Sequence, residues 1–323
     1  MRRITSWLLK GPQEGVVIAL DRWILFSLKI IYLGIRILLR ISLGKKRRDR
    51  ILSERFRPNE YFSLSFYLFK SLYKSIKFFR LGNAMLIKIV VPKYDYKFYC
   101  RVNKEDYTTR EDEIVEHFRP KEGDIVVDVG AHIGRYTIIA SKRVGESGKV
   151  IAIEAHPGNF EMLNRNVKLN KLTNVTALNY AVYSKESKLK LYVPGEESGF
   201  TIYNTITTNR AKTDDKFIEV NANTLDNLLL QQQQQQQNGI NHADINWIKI
   251  DVEGAEFEVL KGATDILSNS KDIALLIEVH NLNDGTNLYM KIVEFLGSCY
   301  NFKIEYEKIH DGGERHIIVR KST

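Results

Sequence analysis

The sequence predicts an α/β fold with a mostly parallel sheet, an antiparallel hairpin at the end of that sheet, and amphipathic helices before it. Three observations predict this class. Residues 124–157 follow a strand–turn–helix–strand pattern with apolar, β-branched strands. Two later apolar strands, Trp247–Val252 and Ala274–Val279, end in polar side chains, at the edge where open parallel sheets bind ligands. Two final strands surround Asp311-Gly312-Gly313 and predict the hairpin.

Residues 1–50 predict a basic amphipathic helix that lies in the interface of a membrane. Val16–Leu43 is strongly apolar but is interrupted by four basic residues, Arg22, Lys29, Arg36 and Arg40. On a helix these four lie within about 40° of one another, so the cations can meet headgroups while the other faces meet lipid. The basic run Lys45–Arg48 follows at once. We therefore expect residues 16–48 to bind an anionic membrane surface.

The same segment has other interpretations. A spanning helix would carry several charges through the hydrocarbon core, and a cleaved signal peptide would be shorter, with a small-residue cleavage site. A helix packed on a partner or on the protein itself remains open. The net charge is +9, but no nucleic-acid-binding module accompanies the basic run. Cys100 and Cys299 have no disulfide or zinc spacing, which indicates reduced thiols. We expect a cytoplasmic protein, peripheral at the membrane face; its oligomeric state is left open.

Residues 51–110 predict a lead-in to the main domain. Leu52–Phe79 is rich in aromatic and basic residues and is compatible with a second amphipathic helix. Ala84–Val91 and Tyr94–Val102 predict a β-hairpin. The main domain is expected to occupy residues 111–323.

The start of the main domain predicts a module that binds a nucleoside. Asp128 stands near the end of the first strand, and Gly130 and Gly134 permit a tight turn with a close approach of the backbone to a ligand. Glu154 closes the second strand, twenty residues after Gly134. An acidic side chain at that point can accept hydrogen bonds from the hydroxyls of a ribose.

The turn favours S-adenosylmethionine over a dinucleotide. A dinucleotide fold uses G-x-G-x-x-G, whereas this turn is G-A-H-I-G without a third glycine. The charge of Asp128 would repel a pyrophosphate and attract a cationic sulfonium. Asn179, at the end of a third strand, is a candidate contact for adenine. A purely structural turn and a nicotinamide-dependent oxidoreductase remain alternatives. The predicted cofactor-binding residues are Asp128, Gly130, His132, Gly134, Glu154 and Asn179.

Two segments of the main domain predict no regular core structure. Ser198–Asn209 carries four threonines and predicts an extended loop that reaches over the acceptor pocket. Residues 231–239 begin with seven glutamines and predict a low-complexity insertion, either an exposed helix extension or a disordered loop.

Acidic side chains and a histidine are predicted to converge where two neighbouring strands end. These residues are Asp251, Glu253, Glu256, Glu278 and His280. Solvated strand ends would be the simplest explanation for any one of them. All of them except Glu256 could also hold a divalent cation that binds an acceptor oxygen, because hard cations prefer oxygen ligands. No spacing selects such a site, so the prediction includes no metal.

Four segments in this order resemble the FkbM-type S-adenosylmethionine-dependent methyltransferases: VVDVGAHIGRYT, IAIEAHP, IKIDVEGAEFEVLKGA and LLIEVH. The resemblance covers roughly residues 111–320. It implies the Rossmann-like class I methyltransferase fold with a seven-stranded sheet. It also implies O-methylation of a hydroxyl on a sugar, glycan or other small-molecule acceptor. Together with the membrane helix, it suggests a lipid-linked sugar or a glycolipid.

The implied mechanism is an in-line displacement in which an acceptor hydroxyl attacks the sulfonium methyl group. His280 is the first candidate for the general base because the ordinary pKa of histidine lies near neutrality. Glu253 is the second candidate, and Asp251 is predicted either to assist catalysis or to hold the cofactor. A catalytically inactive, membrane-associated binding protein remains an alternative.

Overall fold

The structure is a computed structural model that describes residues 17–19, 86–91, 96–101, 112–193, 206, 216–235 and 241–322. The chain divides into two compact units, one of residues 18–88 and one of residues 1–17 and 89–323. The predicted helix at 52–79 lies outside the described residues, as does the 198–209 loop apart from Ile206. Most of the predicted 16–43 helix also lies outside them.

Three short strands come before the main sheet. β1 is Val17–Ala19, β2 is Leu86–Val91 and β3 is Tyr96–Arg101. β2 and β3 are neighbours in a three-stranded sheet. The predicted hairpin stays a prediction. β1 lies where the sequence predicts the first turn of the membrane helix, so that prediction is wrong for these three residues. Val17 and Ile18 are β-branched, which favours an extended backbone.

The first half of the main domain follows the predicted alternation of helices and strands. Its elements are α1 Asp112–His117, β4 Ile125–Val129, α2 Arg135–Val144, β5 Lys149–Ile153, α3 Pro157–Leu169 and β6 Val175–Leu178. β4 and β5 are buried almost throughout because helices cover both faces of a parallel sheet. Pro157 occupies the first turn of α3, where its missing N–H costs no hydrogen bond.

An insertion follows, with a second small sheet and the glutamine helix. Its strands are β7 Ala181–Val182, β8 Ser187–Val193 and β9 Lys216–Asn223, in the order β7-β9-β8. α4 spans Leu225–Gln235. Leu225, Leu228 and Leu229 anchor this helix in the core. Its glutamines therefore extend a packed helix, as one of the two predictions for this run expected.

The second half of the domain supplies the other strands of the main sheet. A short 3₁₀ turn at His242–Asp244 is followed by β10 Ile245–Ile250, α5 Glu256–Lys261, α6 Thr264–Asn269, β11 Ala274–Val279, α7 Leu288–Tyr300, β12 Phe302–Ile309 and β13 Arg315–Lys321. No helix among the described residues is long and apolar enough to cross a membrane.

The main sheet has seven strands in the order β12-β13-β11-β10-β4-β5-β6. The pairs from β11 through β6 are parallel, and β13 is antiparallel to both β11 and β12. The predicted fold is confirmed, including the final hairpin. Chain order reverses on the two sides of β4, because β5 lies on one side and β10 on the other. Ligands bind at such a switch point, beyond the carboxyl ends of the strands.

Candidate active site

The turn after β4 brings the ends of β4 and β10 into contact. Gly130 has a φ of 76°, and a Cβ atom at this position would lie 1.8 Å from the carbonyl oxygen of Asp251. Gly134 has a φ of 95°, and its Cβ atom would lie 2.7 Å from Leu163 Cδ1. His132 between them has a φ of 52°. Both glycines are therefore required by the path of the backbone.

The side chain of Glu154, which follows β5, accepts hydrogen bonds from the backbone of the glycine turn and from the residues after it. Its Oε2 accepts a hydrogen bond of 2.8 Å from the backbone N–H of His132, and its Oε1 accepts one of 2.9 Å from that of His156. Burial is the main cause that raises the pKa of Glu154 to about 7, although these hydrogen bonds oppose it. Oε1 also accepts a hydrogen bond of 3.4 Å from Asn159 Nδ2, whereas Oε2 has a second lone pair that can accept a hydrogen bond from a ligand.

Asn179 holds the loop on the other side of Glu154. Its side-chain N–H groups lie 2.8 Å from the carbonyl oxygen of Glu154 and 3.1 Å from that of Ala155. The next residues, Tyr180 and Ala181, line the cavity described below. Contact of Asn179 with adenine stays a prediction; in the structure this side chain positions its neighbours.

A buried lysine that the sequence analysis did not identify lies beneath the turn. Lys249 Nζ donates to the carbonyl oxygen of Gly130 at 3.0 Å and to Asp251 Oδ2 at 3.1 Å, and lies 3.6 Å from Asp128 Oδ1. Asp128 is fully buried, and its Oδ2 accepts a hydrogen bond of 2.6 Å from Thr137 Oγ1. Asp128 therefore lies under the turn, paired with a cation. A lysine within the apolar strand sequence INWIKI was the signal for this role.

The predicted acidic side chains do converge, around His280. We call Asp251, Glu253, Glu256 and Glu278, together with His280, the acidic centre. His280 Nδ1 lies 2.7 Å from Glu256 Oε1. Its Nε2 lies 3.5 Å from Glu253, 3.8 Å from Glu278 and 3.9 Å from Asp251. The backbone of Glu253 has a φ of 56°, in a region that residues other than glycine seldom adopt.

The charge of the acidic centre bears on the predicted role of His280. Burial lowers the pKa of His280, but Glu256, Glu253 and Glu278 outweigh burial and raise it to about 10. Burial also raises the pKa of Asp251. A protonated imidazole has no lone pair and cannot accept a proton. In this structure His280 is therefore arranged to hold positive charge among carboxylates, and its role as general base stays a prediction.

The same centre bears on the alternative of a bound cation. One oxygen each from Asp251 and Glu253 and one ring nitrogen of His280 lie within 4.8 Å of one another. Protonated His280 already supplies positive charge at this point. The sequence prediction of a site without a metal therefore stays a prediction.

Two further histidines extend the acidic centre toward the β12–β13 turn. His316 Nε2 lies 3.3 Å from Glu278 Oε2, and His310 Nε2 lies 2.7 Å from His316 Nδ1. Burial raises the pKa of Glu278, but the hydrogen bond from His316 and the nearby positive charges outweigh burial and lower it to about 2. This histidine pair is not among the site residues predicted from the sequence. Histidines at the two ends of a predicted hairpin turn were the available signal.

One cavity of about 330 Å³ joins these parts. At one end it is lined by Gly130, His132 and Glu154, and at the other by the histidine pair and by Asp251, Glu253, Glu278 and His280 of the acidic centre. Six of the predicted site residues line the cavity: Gly130, His132, Glu154, Asp251, Glu253 and His280. Asp128, Gly134 and Asn179 support it from behind.

Comparison with known proteins identifies the family. Residues 128–304, more than half of the chain, match the model of the methyltransferase FkbM domain. "Methyltransferase 1" of Beauveria bassiana (strain ARSEF 2860) is 27% identical over 153 residues, and "Methyltransferase sdnD" of Sordaria araneosa is 29% identical over 157 residues. Each match covers 43% of this chain. The matches cover 58% of the Beauveria bassiana protein and 60% of the Sordaria araneosa protein. The chain thus spans about three fifths of the length of the curated relatives it matches.

Comparison with solved structures finds methyltransferases at low sequence identity. TYW2 of P. horikoshii, solved with MeSAdo, is 16% identical at a TM-score of 0.46, covering 89% of this chain and 97% of that one. A SAM-dependent methyltransferase from Aquifex aeolicus is 15% identical at a TM-score of 0.36, covering 66% and 90%. Similarity at this level carries no argument about this chain. The family match over residues 128–304 shows that this chain belongs to the methyltransferase FkbM domain family.

Proposed function

We propose that the protein is an S-adenosylmethionine-dependent methyltransferase that transfers a methyl group to a hydroxyl of a sugar, glycan or glycolipid-type acceptor. The observation that carries this proposal is the two-ended cavity. One end has the glycine turn and Glu154, and the other has the carboxylates Asp251 and Glu253. A nucleoside suits the first end and a polyhydroxylated acceptor suits the second, because carboxylates accept hydrogen bonds from hydroxyls.

The residues at the first end fit S-adenosylmethionine. The turn allows a close approach of the backbone at Gly130, and Glu154 offers a carboxylate to ribose hydroxyls. Arg135, the first residue of α2, lines the same end and has the charge to pair with the methionine carboxylate. The helix N-terminus there also favours an anion. When bound, the cofactor supplies an electrophilic methyl group.

The remaining site residues orient the acceptor. The carboxylates of Asp251 and Glu253 line the cavity and are half-buried or buried, so they can bind acceptor hydroxyls away from bulk water. His280 Nε2 lies 3.9 Å from Asp251 and 3.5 Å from Glu253, so in its protonated form it holds both carboxylates in place. Glu253 is the second predicted base. The alignment of acceptor and cofactor at one cavity supplies most of the expected acceleration.

Isothermal titration with S-adenosylhomocysteine, with NAD⁺ as the control, tests the cofactor class. We expect micromolar binding of the former and none of the latter. Binding of NAD⁺ alone would favour the oxidoreductase alternative. The Glu154→Gln variant should bind the ligand at least tenfold more weakly, while the exposed Glu161→Gln on α3 should bind as the wild type does. Unchanged binding by Glu154→Gln would remove Glu154 from the cofactor site.

Transfer of a tritiated methyl group from S-adenosylmethionine to octyl β-D-glucoside, octyl β-D-galactoside and octyl α-D-mannoside tests the acceptor class. Labelled octyl glycoside that resists mild base is the expected product, because an ether survives conditions that cleave a methyl ester. Cofactor binding without transfer to any of the three would contradict the glycoside proposal. It would leave an inactive binding protein as the stronger explanation.

We also propose that residues 16–48 hold the protein at the cytoplasmic face of an anionic membrane. The support is the sequence pattern of four basic residues on one stripe, followed by Lys45–Arg48. Sedimentation with phosphatidylcholine vesicles, with and without 30% phosphatidylserine, tests it (about a third anionic lipid, a level at which polybasic segments bind). The full chain should sediment only with the anionic vesicles, and a variant without residues 1–50 should not. Equal sedimentation of both chains would contradict the proposal.

A further inference from the structure

We propose that His310 is the general base of the methyl transfer and that His316 and Glu278 fix the state of its ring. This inference rests on the proposed function, because it assigns a residue to that reaction. The carrying observation is a continuous series of contacts that ends in the cavity: Glu278 Oε2 to His316 Nε2 at 3.3 Å, and His316 Nδ1 to His310 Nε2 at 2.7 Å.

The strand register builds this series. Glu278 on β11 is paired directly with His316 on β13 in the antiparallel ladder. His310 follows β12 at the turn that leads back into β13. Backbone hydrogen bonds from His310 N to Glu314 O (2.8 Å) and from Gly313 N to His310 O (2.9 Å) hold that turn. The two imidazole rings meet edge to face, with centroids 4.9 Å apart, so a ring nitrogen of one points at the other.

Hydrogen-bond direction then fixes both tautomers. Glu278 is ionised and accepts, so His316 must place a proton on Nε2. A neutral His316 therefore has a lone pair on Nδ1, and it accepts the Nε2–H of His310. His310 is left with a lone pair on Nδ1. His310 is half-buried and lines the acceptor end of the cavity, so this lone pair belongs to a group that can meet the acceptor.

The proton transfer balances along the same series. The O–H bond of the acceptor breaks and its proton binds His310 Nδ1, while the oxygen forms a bond to the methyl carbon and the carbon–sulfur bond breaks. The Nε2 proton of His310 can pass to His316 Nδ1. The positive charge then lies beside the Glu278 carboxylate, which stabilises it. Release of one proton to water from the pair restores the starting state.

The surroundings of His310 lower its pKa from the ordinary value of histidine, chiefly through burial. Lys308 also lowers this pKa, as does His316 when it is protonated, whereas Glu278 and Glu314 raise it. Asp311, the next residue, lines the same cavity. His280 differs because four carboxylates lie within 4 Å of its ring nitrogens.

The His310→Gln variant tests the base directly. The glutamine side-chain amide can still donate to His316 Nδ1 but cannot accept a proton. With octyl glycoside as acceptor, kcat should fall about 10²- to 10⁴-fold, the usual contribution of a general base. The KM for S-adenosylmethionine should change less than twofold. The control is His242→Gln, which removes a histidine that contacts the carbonyl oxygen of Asp226 and does not line the cavity.

A second readout does not depend on an acceptor. Long-range ¹H–¹⁵N spectra of the full chain with ¹⁵N-labelled histidine and bound S-adenosylhomocysteine report which ring nitrogens carry protons. As the pH rises from 5 to 10, the pair of His310 and His316 should lose the additional proton that the two rings share. Each ring should then carry a proton only on Nε2. The midpoint should match the acid limb of the pH profile of kcat/KM. In the His316→Gln variant, neutral His310 should populate both tautomers, and the acid limb of the pH profile of kcat/KM should shift to a different pH.

Two outcomes would overturn the inference. One is a neutral His310 that carries its proton on Nδ1. The other is a His310→Gln variant with more than a tenth of the wild-type rate and an unchanged pH profile. If the wild type transfers no methyl group to the glycosides, the proposed acceptor class fails instead, and the spectra still decide the state of His310.

Discussion

Replacement of Gly130 by alanine has a large predicted cost that can be separated into two parts. Gly285 offers a matched control, because its φ of 75° equals the 76° of Gly130 and no atom lies within 4 Å of its would-be Cβ. Gly285→Ala therefore carries only the cost of a side chain in the left-handed region, about 1–2 kcal/mol. Gly130→Ala carries that cost and a collision with Asp251 as well.

The collision can be estimated from the structure. The new Cβ would lie 1.8 Å from the Asp251 carbonyl oxygen, whereas ordinary contacts begin at 3.4 Å. The two strand ends must separate by more than an ångström, which breaks the 3.1 Å bond from Asp251 N to Val129 O and the 3.0 Å bond from Lys249 Nζ to Gly130 O. A neutral bond contributes about 1 kcal/mol and a charged one about 1.5–3 kcal/mol. The total for Gly130→Ala is then about 4 kcal/mol or more.

Urea unfolding followed by circular dichroism measures both variants under the same conditions. Gly285→Ala should remain folded with nearly normal binding of S-adenosylhomocysteine. Gly130→Ala should be destabilised by at least about 2 kcal/mol more than the control, and it should lose that binding because the turn no longer closes on Lys249. If the two variants are equally stable, the close approach of β4 and β10 has no energetic weight and the reasoning fails.

Three other predictions concern charge. Binding of S-adenosylhomocysteine should strengthen about tenfold between pH 6 and pH 8, because the pKa of Glu154 lies at about 7 in the empty site and the ionised carboxylate binds ribose hydroxyls. Titration calorimetry at several pH values measures this change, and an affinity that does not vary with pH would contradict the prediction. Lys249→Met should destabilise the protein by about 3–5 kcal/mol, because it leaves buried Asp128 without its cation. The exposed control Lys188→Met should change stability by less than about 0.5 kcal/mol. Urea unfolding compares the two variants, and equal effects would refute this role of Lys249. The pKa of His280 is raised to about 10, so its stabilising contribution is complete below about pH 6.5 and is lost as the pH rises toward 10. The stability difference between wild type and His280→Gln should therefore shrink over that range, and a constant difference would count against a charged His280.

The sequence is sufficient for the parts of this protein that depend on local pattern. β-branched runs with a glycine turn between them predict β4, α2 and β5, because these elements are short and buried on both faces. The convergence of Asp251 and Glu253 with His280 is also predictable, because neighbouring parallel strands end at one edge of a sheet.

Features that depend on register and environment are beyond local pattern. Lys249 contacts Gly130, 119 positions away, and only the alignment of β10 with β4 brings them together. The pairing of Glu278 with His316 likewise requires the antiparallel register of β11 and β13. The pKa of His280 depends on three carboxylates that raise it and on burial that lowers it, so residue type alone does not predict its direction.

The position of β13 in the sheet has a consequence for how the domain can be assembled and cut. β13 is the last of the seven strands in chain order, yet it lies inside the sheet, between β11 and β12. A chain interrupted before Arg315 therefore leaves two bare strand edges facing each other, and such edges invite pairing with other molecules. It also lacks His316, so the series of contacts from Glu278 to His310 is broken. Completion of the sheet and completion of the histidine pair are thus a single event, and a partly synthesised or clipped domain lacks both together.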